Sequence, residues 1–534
     1  MNLKLLSDMS MKNKSLTIGV LGLKPGLQNL LQNLGIRVEA LNTPPSDPTN
    51  YSIIIVHRAL NNSEKHELAK FQAENRSSLT HEHDFLGVLY TFESGIVPLA
   101  SQPKDIRRRS LMSDDLLGTP LESFAYIDVY STIRLYDQDE HLHSAVYLET
   151  SGVGYFGFPI ENPLERTGYT RKRFPSNLDF YPNELVSQVH RQKLQDLLQF
   201  GLEKVLYSMN LPWIQNWYFP TEQPIITLRI DTDFGTQKSM HELFELAGKN
   251  GAKLSNFLHV QAHEDWLSWF SQYPIHEYAI HGYQHALIDS SYQLYQDIEQ
   301  ANETMKEQGL EAKGYAAPYG IWSKTLSHVL DKYPLTYSSE FTHGYDGFPY
   351  FVEGNKRLQI PMHPICTGSL HRYGATTEDF KGYFKRIIEA KIAQWQPIML
   401  YHHPLQPGAN SLDYAMRYAN EKGIHWLRYD EWAEFWIKRS EQRYRLEYSA
   451  SQGIIAGEIH GDLPILIKTD HDRGFLLYQE QAKSGVKIEE QKHSLYWKPH
   501  TESLVNKMFL EERFSKPWEL WKESLIQYRN RIRI

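Results

Sequence analysis

The sequence predicts an α/β protein: a distorted (β/α) barrel over residues 213–440, preceded by an α/β unit over 1–212 and followed by a β-rich appendage over 441–534. Three observations predict it. At 534 residues the chain is too long for one ordinary domain. Apolar strand-like runs alternate with helix-spaced segments from Ile225 to residue 438. After Arg443 the helical spacing stops, and short strand-like runs divided by turn residues take over.

Bulk properties narrow the function. The composition, 41% hydrophobic and 22% charged, is that of a globular protein able to bury large cores. The net charge of -8 is dispersed and no basic run is longer than Arg107–Arg109, so nucleic acid is not an expected partner. A single cysteine, Cys366, excludes an internal disulfide framework and a cysteine-based zinc cluster. Met1 to Leu23 has lysines and glycines but no sustained apolar segment, so no signal peptide, no transmembrane segment and a cytoplasmic location are expected.

In the first unit, Leu16–Leu21 reads as a strand, Gly22–Gly26 as a turn and Leu27–Leu34 as a helix, with strands again at Ile36–Leu41 and Ser52–Val56. This is a βαβ opening. Gly19, Gly22 and Gly26 lack the spacing of a dinucleotide fingerprint. Phe124–Tyr136, Ser144–Glu149 and Val153–Pro159 read as further strands, the last with Gly154 and Gly157 at close-packing positions, and Glu184–Tyr207 reads as one long amphipathic helix. The hydrophobic pattern of this half resembles the flavodoxin-type, glutamine-amidotransferase-like fold sometimes found ahead of hydrolase domains. With the sole cysteine far away at 366 it lacks a nucleophile, which leaves a structural or binding role.

In the barrel, strands are expected at Ile225–Ile230, Lys253–His259, Glu277–His281, Gly314–Ala317, Leu335–Ser338 and Ile398–His402. Helices between them are expected at Met240–Asn250, Ser291–Gly309, Ser323–Tyr333, Glu378–Gln394 and Tyr429–Lys438. Beyond Arg443, short strands are expected from Tyr444 to Tyr478, then an aromatic, basic tail through Trp518 and Trp521. Chemistry in such barrels gathers at the C-terminal ends of the strands.

The first barrel strand ends in Asp231-Thr232-Asp233-Phe234-Gly235. Alternation puts Arg229, Asp231 and Asp233 on one side. Two acids side by side repel unless a cation or a shared proton compensates, which is what a metal site with a neighbouring base requires. A turn built from Asp and Gly is the other reading. His281 and His285, four apart at the end of a later strand, can meet one cation. His259 and His263 form a second such pair, expected to be structural or peripheral. On the residues alone, His363 and His403 are as eligible for acid–base work as His402.

Ile230–Gly235, His281-x-x-x-His285, Ala317-Pro318-Tyr319-Gly320 and Leu400-Tyr401-His402, in that order, resemble the polysaccharide deacetylase (NodB-like) family of metal-dependent carbohydrate esterases over roughly residues 222–440. The resemblance implies Asp231 as general base, Asp233, His281 and His285 as metal ligands, and His402 as general acid. Pro318, Tyr319 and Gly320 would form one wall, Tyr337 to Phe341 and Pro361 to Pro364 further wall, and Leu400 an acetate pocket. Zinc is the preferred metal, although cobalt, nickel or iron tolerate the same donors. The family usually carries an arginine where this chain has Ala316, and Arg229, two residues before the base, is the expected replacement. The implied function is removal of an acetyl or other acyl group from an amino sugar or glycan precursor. Hydrolysis of a non-sugar amide, or a catalytically weak glycan-binding module, are the alternatives.

Overall fold

Ile225–Asp231 opens on Ile-Ile-Thr and is buried at all seven positions, as β-branched residues in a strand covered on both faces should be. In the computed structural model it lies between two parallel neighbours, Leu254–Leu258 and Ile398–His402. The sheet continues from Leu254–Leu258 through Glu277–Ile280, Gly314–Tyr315, Tyr337–Ser338 and Leu358–Gln359, all parallel, to an antiparallel edge at Tyr350–Phe351. It curls until the His363 N–H donates to the Met399 carbonyl (2.7 Å), so one backbone hydrogen bond spans the seam of an incomplete barrel. The structure describes residues 13–70, 86–95, 126–128, 132–136, 142–150, 152–156, 160, 168–174, 182–352, 357–470, 472–491, 495–496 and 513–514. Arg107–Arg109, Phe124, Gly157, Trp518 and Trp521 of the sequence reading lie outside them, as do Met1 to Met11.

Helices cover the barrel by their apolar stripes. Gln237–Lys249 buries Met240, Leu243, Phe244 and Ala247, the i, i+3, i+4, i+7 positions, and starts at a Thr236–Ser239 capping box. Tyr429–Glu441 buries Trp432 and Trp436. It also carries Arg439, whose buried guanidinium donates to the carbonyls of Asn33, Leu34, Asn216 and Trp217 and so ties the first unit, the connector and the barrel together. Gly35 at φ 72° is required there, since a Cβ would sit 2.4 Å from Arg439 Nη2.

The first unit is a mixed sheet. Val38–Leu41, Ile18–Leu21, Ile53–Val56, Gly87–Thr91 and Val153–Phe156 lie side by side and parallel, and Leu142–Thr150, Thr132–Tyr136 and Tyr126–Asp128 extend it antiparallel. The long helix runs from Arg191 to Ser208 and packs Leu194, Leu198 and Val205 on that sheet. It starts later than the sequence suggests. Asn183–Ser187 is instead a strand, paired along its whole length with Tyr169–Arg173, and the Ser187 N–H donates to the Phe341 carbonyl of the barrel. Backbone pairing here overrides a helical side-chain pattern.

Two antiparallel sheets end the fold. One contains Lys14–Ser15, Arg443–Ser449, Ile454–His460 and Val486–Lys487; the other contains Trp213–Asn216, Ile465–Lys468, Arg473–Leu477 and Leu495–Tyr496. Leu446, Ile455, Ile467 and Phe475 meet between them in one core. Each sheet thus takes a strand from earlier in the chain. Among the described residues, no helix is long and apolar enough to cross a membrane.

Candidate metal centre and active site

The cleft lies at the C-terminal ends of the barrel strands and has a volume of about 210 Å³. Asp231 is the last residue of the first strand, and alternation alone orients it. Asp233 lies beyond the strand at φ 42°, so a left-handed turn, not strand alternation, aims its carboxylate. The Gly235 N–H closes that turn on the Thr232 carbonyl (2.7 Å), and a Cβ at Gly235 would meet Pro404 Cγ at 2.9 Å.

His281 follows the Glu277–Ile280 strand directly, and Gly282 turns the chain at φ 87°. The Asp297 carboxylate holds the loop, accepting the Tyr283 (3.0 Å) and Gln284 (2.8 Å) N–H groups. His281 Nδ1 donates to the Ala316 carbonyl (2.8 Å), leaving Nε2 as a lone-pair donor toward the cleft. Position 316 therefore serves the site through its backbone.

Asp233, His281 and His285 offer ligand atoms within 4.8 Å of one another. Asp233 Oδ1 lies 3.5 Å from His281 Nε2 and 3.2 Å from His285 Nε2. Ligand atoms around a tetrahedral ion with bonds of roughly 2.0–2.1 Å are about 3.3 Å apart. The same Oδ1 is buried and makes no hydrogen bond of acceptable geometry, despite its closeness to both rings. A buried carboxylate oxygen facing two imidazole nitrogens is a donor set that could hold a cation. Burial would raise the Asp233 carboxyl, but His281 and His285 outweigh it and hold the group well below the usual carboxylate range.

Arg229 and Asp231 form a buried bidentate pair, Nε to Oδ1 at 2.5 Å and Nη2 to Oδ2 at 2.8 Å. Nη1 donates to the Ser339 carbonyl and hydroxyl (2.6 and 3.0 Å). Burial alone would raise Asp231; the guanidinium beside it more than offsets this and lowers it.

Pairing register separates the C-terminal strand's residues. Tyr401 lies opposite Arg229, on the Asp231 side, whereas Leu400 and His402 lie opposite Leu228 and Ile230. Leu400 and His402 therefore face away from the cleft. His402 is buried against Thr367 Oγ1 (Nδ1 at 2.9 Å), and burial pushes it down to about 3. His403, next in the chain, lines the cleft with Nε2 3.6 Å from Asp233 Oδ2. Burial would lower it, but the Cys366 side chain and the carboxylates of Asp231 and Asp233 raise it to about 9. His363 is taken up elsewhere, between Asp346 Oδ2 (3.0 Å) and the Tyr383 hydroxyl (2.8 Å).

Of the expected wall, Tyr319, Gly320 and Phe341 line the cleft; Pro318, residues 337–340, residues 361–364 and Leu400 do not. Tyr319 is strained at φ 60°, its ring 58% exposed and edge-on to His285 at 4.8 Å. Cys366, Ser369, Arg372 and Gln406 also line it, and none carries a motif. Glu184 arrives from the hairpin outside the barrel, paired with Arg372 at 3.0 Å.

His259 sits closer to the centre than a peripheral role suggests. Its Nδ1 donates to the Asp233 carbonyl (2.9 Å) and its Nε2 accepts the His285 N–H (3.2 Å), so one buried imidazole spans two ligand-bearing loops. Burial lowers its pKa, in keeping with the neutral ring this geometry needs. His263 stands behind it on Thr232 Oγ1 (2.8 Å). His259→Leu is expected to weaken zinc affinity about 10–100-fold, as loss of outer support for metal ligands does, measured by calorimetric titration of the chelator-stripped protein.

No family model matches the chain, and no curated protein matches it. Among solved structures it is similar to a putative polysaccharide deacetylase from Mycobacterium smegmatis, at 14% identity over 41% of this chain and 92% of that one, with a TM-score of 0.37. It is similar to a family 4 carbohydrate esterase from Streptomyces lividans in complex with acetate, at 18% identity over 38% and 91% of the two chains, with a TM-score of 0.29. It is also similar to Puue allantoinase, at 15% identity over 41% and 92%, with a TM-score of 0.36.

Proposed function

We propose that the chain is a metal-dependent hydrolase that removes an acetyl or related acyl group from an amino sugar or glycan precursor. The observation that carries this reading is the meeting, in one cleft, of the Asp233, His281 and His285 ligand atoms within 4.8 Å of one another, a second carboxylate clamped by Arg229, and the His403 imidazole 3.6 Å from Asp233. A divalent ion, zinc by donor type, held by Asp233 Oδ1 and by Nε2 of His281 and His285 would supply Lewis-acid polarisation of the acyl carbonyl and acidify a water.

The remaining roles belong to side chains of this chain. Asp231, kept ionised by Arg229, takes the proton released as water adds to the carbonyl. Being lowered, it is a weak base, and its usefulness depends on standing beside an acidified water. The Tyr319 N–H, on a residue that lines the cleft, would donate to the tetrahedral oxyanion. His403, not His402, gives a proton from Nε2 to the departing amine or alcohol. Arg229 supplies from position 229 the guanidinium that Ala316 lacks, which argues for a working site over a weakened one.

The order of the parallel strands in the first unit, second-first-third-fourth-fifth along the chain, is that of flavodoxin-type sheets and supports reading it as a scaffold domain. Its hairpin delivers Glu184 to the cleft wall. The test is acetate release from N-acetylated chitooligosaccharides and from simple N-acyl amides, each with zinc-loaded and chelator-stripped protein. Zinc-dependent release from the sugars is expected; release from the amides alone would move the substrate class, and release that ignores zinc would overturn the proposal.

A further inference from the structure

The metal cleft is not built from the barrel alone. Tyr169–Arg173 and Asn183–Ser187 belong to the first unit, yet this antiparallel pair is seated on the barrel. Phe174 and Val186, fully buried, are members of the barrel's own apolar core. Buried Lys172 donates from Nζ to the Tyr345 hydroxyl (2.9 Å), and the Ser187 N–H donates to the Phe341 carbonyl (3.0 Å). Phe341 closes in turn on Gly320, where a Cβ would lie 2.2 Å from its ring. The pair of strands is therefore fixed to the cleft wall that carries Tyr319, Gly320 and Phe341. Core burial and backbone hydrogen bonding hold it there, which a loose surface contact would not provide.

Alternation decides which side chain this strand gives to the cleft. Val186 enters the barrel core, so Glu184, two residues earlier, lies on the same face. Among the described residues three carboxylates line the cleft, Asp231, Asp233 and Glu184. The first is clamped by Arg229 and the second faces His281 and His285, so Glu184 is the one that the metal site and the base leave over. Its Oε2 accepts Arg372 Nη2 (3.0 Å) and the Ser369 hydroxyl (3.3 Å), and its Oε1 accepts the Leu185 N–H (3.0 Å). An ionised carboxylate has about four acceptor positions, so about one stays open to the cleft. Arg372 already balances the charge. What Glu184 offers a substrate is thus an acceptor for a neutral O–H group, fixed in place by two side chains and a backbone N–H.

We infer that Glu184 is a specificity-determining residue of the proposed reaction: it accepts a hydroxyl of the sugar that carries the acyl group, so the first unit selects the substrate through this strand. The inference rests on reading the cleft as that of a glycan deacylase. The experiment uses the full chain and the linear trimer of N-acetylglucosamine. It measures acetate release by the zinc-loaded protein and, by calorimetry, trimer binding to the chelator-stripped protein, for the parent, Glu184→Gln and Glu184→Ala. Glu184→Ala should raise KM and weaken trimer binding about 10–100-fold, the range for losing a hydrogen bond to a charged acceptor. The loss should fall on KM, with kcat changed less than about twofold, as when binding shared by ground and transition state is removed. Glu184→Gln, which keeps an acceptor oxygen, should lie between. Arg372 is 43% exposed and stays hydrated without its partner, so Tm and zinc stoichiometry should hold. A parent that binds the trimer without releasing acetate would count against the proposed reaction, while weaker binding by Glu184→Ala would still support the inference. Acetate release with KM and trimer binding unchanged in Glu184→Ala, or a fall in kcat that tracks a lowered Tm, would overturn the inference and leave the reaction standing. A parent that neither binds nor hydrolyses the trimer would overturn it as well.

Discussion

His403→Asn is expected to lower turnover about 10²–10⁴-fold with zinc content unchanged, the range lost when a positioned proton donor is removed. His402→Asn is expected to leave turnover near the parent value and to cost about 1 kcal/mol of stability through the Thr367 hydrogen bond. The opposite assignment would follow from motif position, so the pair of variants decides between two adjacent histidines. The reason lies in register. Arg229 pairs with Tyr401 and Ile230 with His402, so the strand shows Tyr401 to the cleft and hides His402. His403 then enters from just past the strand, beside Tyr401 at 5.4 Å between ring centroids. Both variants should be assayed for acetate release and metal content together.

Asp231→Asn is the second large effect. Turnover should fall about 10²–10⁴-fold through loss of the proton acceptor, with zinc still bound by Asp233, His281 and His285. Stability should fall too, by up to about 3–5 kcal/mol, because a fully buried guanidinium loses its counter-charge. Its bonds to Ser339 and its stacking over Phe257 at 4.6 Å soften that loss. The folded-state pKa of Asp231 is lowered, so the carboxylate's contribution is full above the ordinary aspartate value and is lost as pH falls through the folded one. Acid unfolding of the metal-free parent should therefore show a limb below about pH 4 that Asp231→Asn flattens. Arg229→Met with Asp231→Asn should recover stability but not turnover, which separates the chemical role from the structural one.

Much of the barrel was legible because its strands are short apolar runs ending in residues that cannot be core. Alternation placed Arg229 beside Asp231, and the structure brings them together. The motif resemblance did not resolve Leu400 and His402 in the neighbouring strand, because a match to a motif does not fix which face of the strand meets the cleft. Asp233 meets His281 and His285 through a left-handed turn that the strand period does not describe. Glu184 was beyond reach of any motif, lying in a stretch whose side-chain spacing looks helical but whose backbone pairs with Tyr169–Arg173. His259 was visible as half of a histidine pair, yet its use is to hold Asp233 and His285 through their backbones, which side-chain spacing does not report.

The most direct measurement is the zinc stoichiometry of the chelator-stripped full chain, by titration and elemental analysis, for the parent and for Asp233→Ala, His281→Ala and His403→Asn. One ion per chain is predicted for the parent and for His403→Asn, with binding lost in the other two and a parent Tm that rises with free zinc. An ion retained by both Asp233→Ala and His281→Ala, or no stoichiometric binding by the parent, would contradict the account.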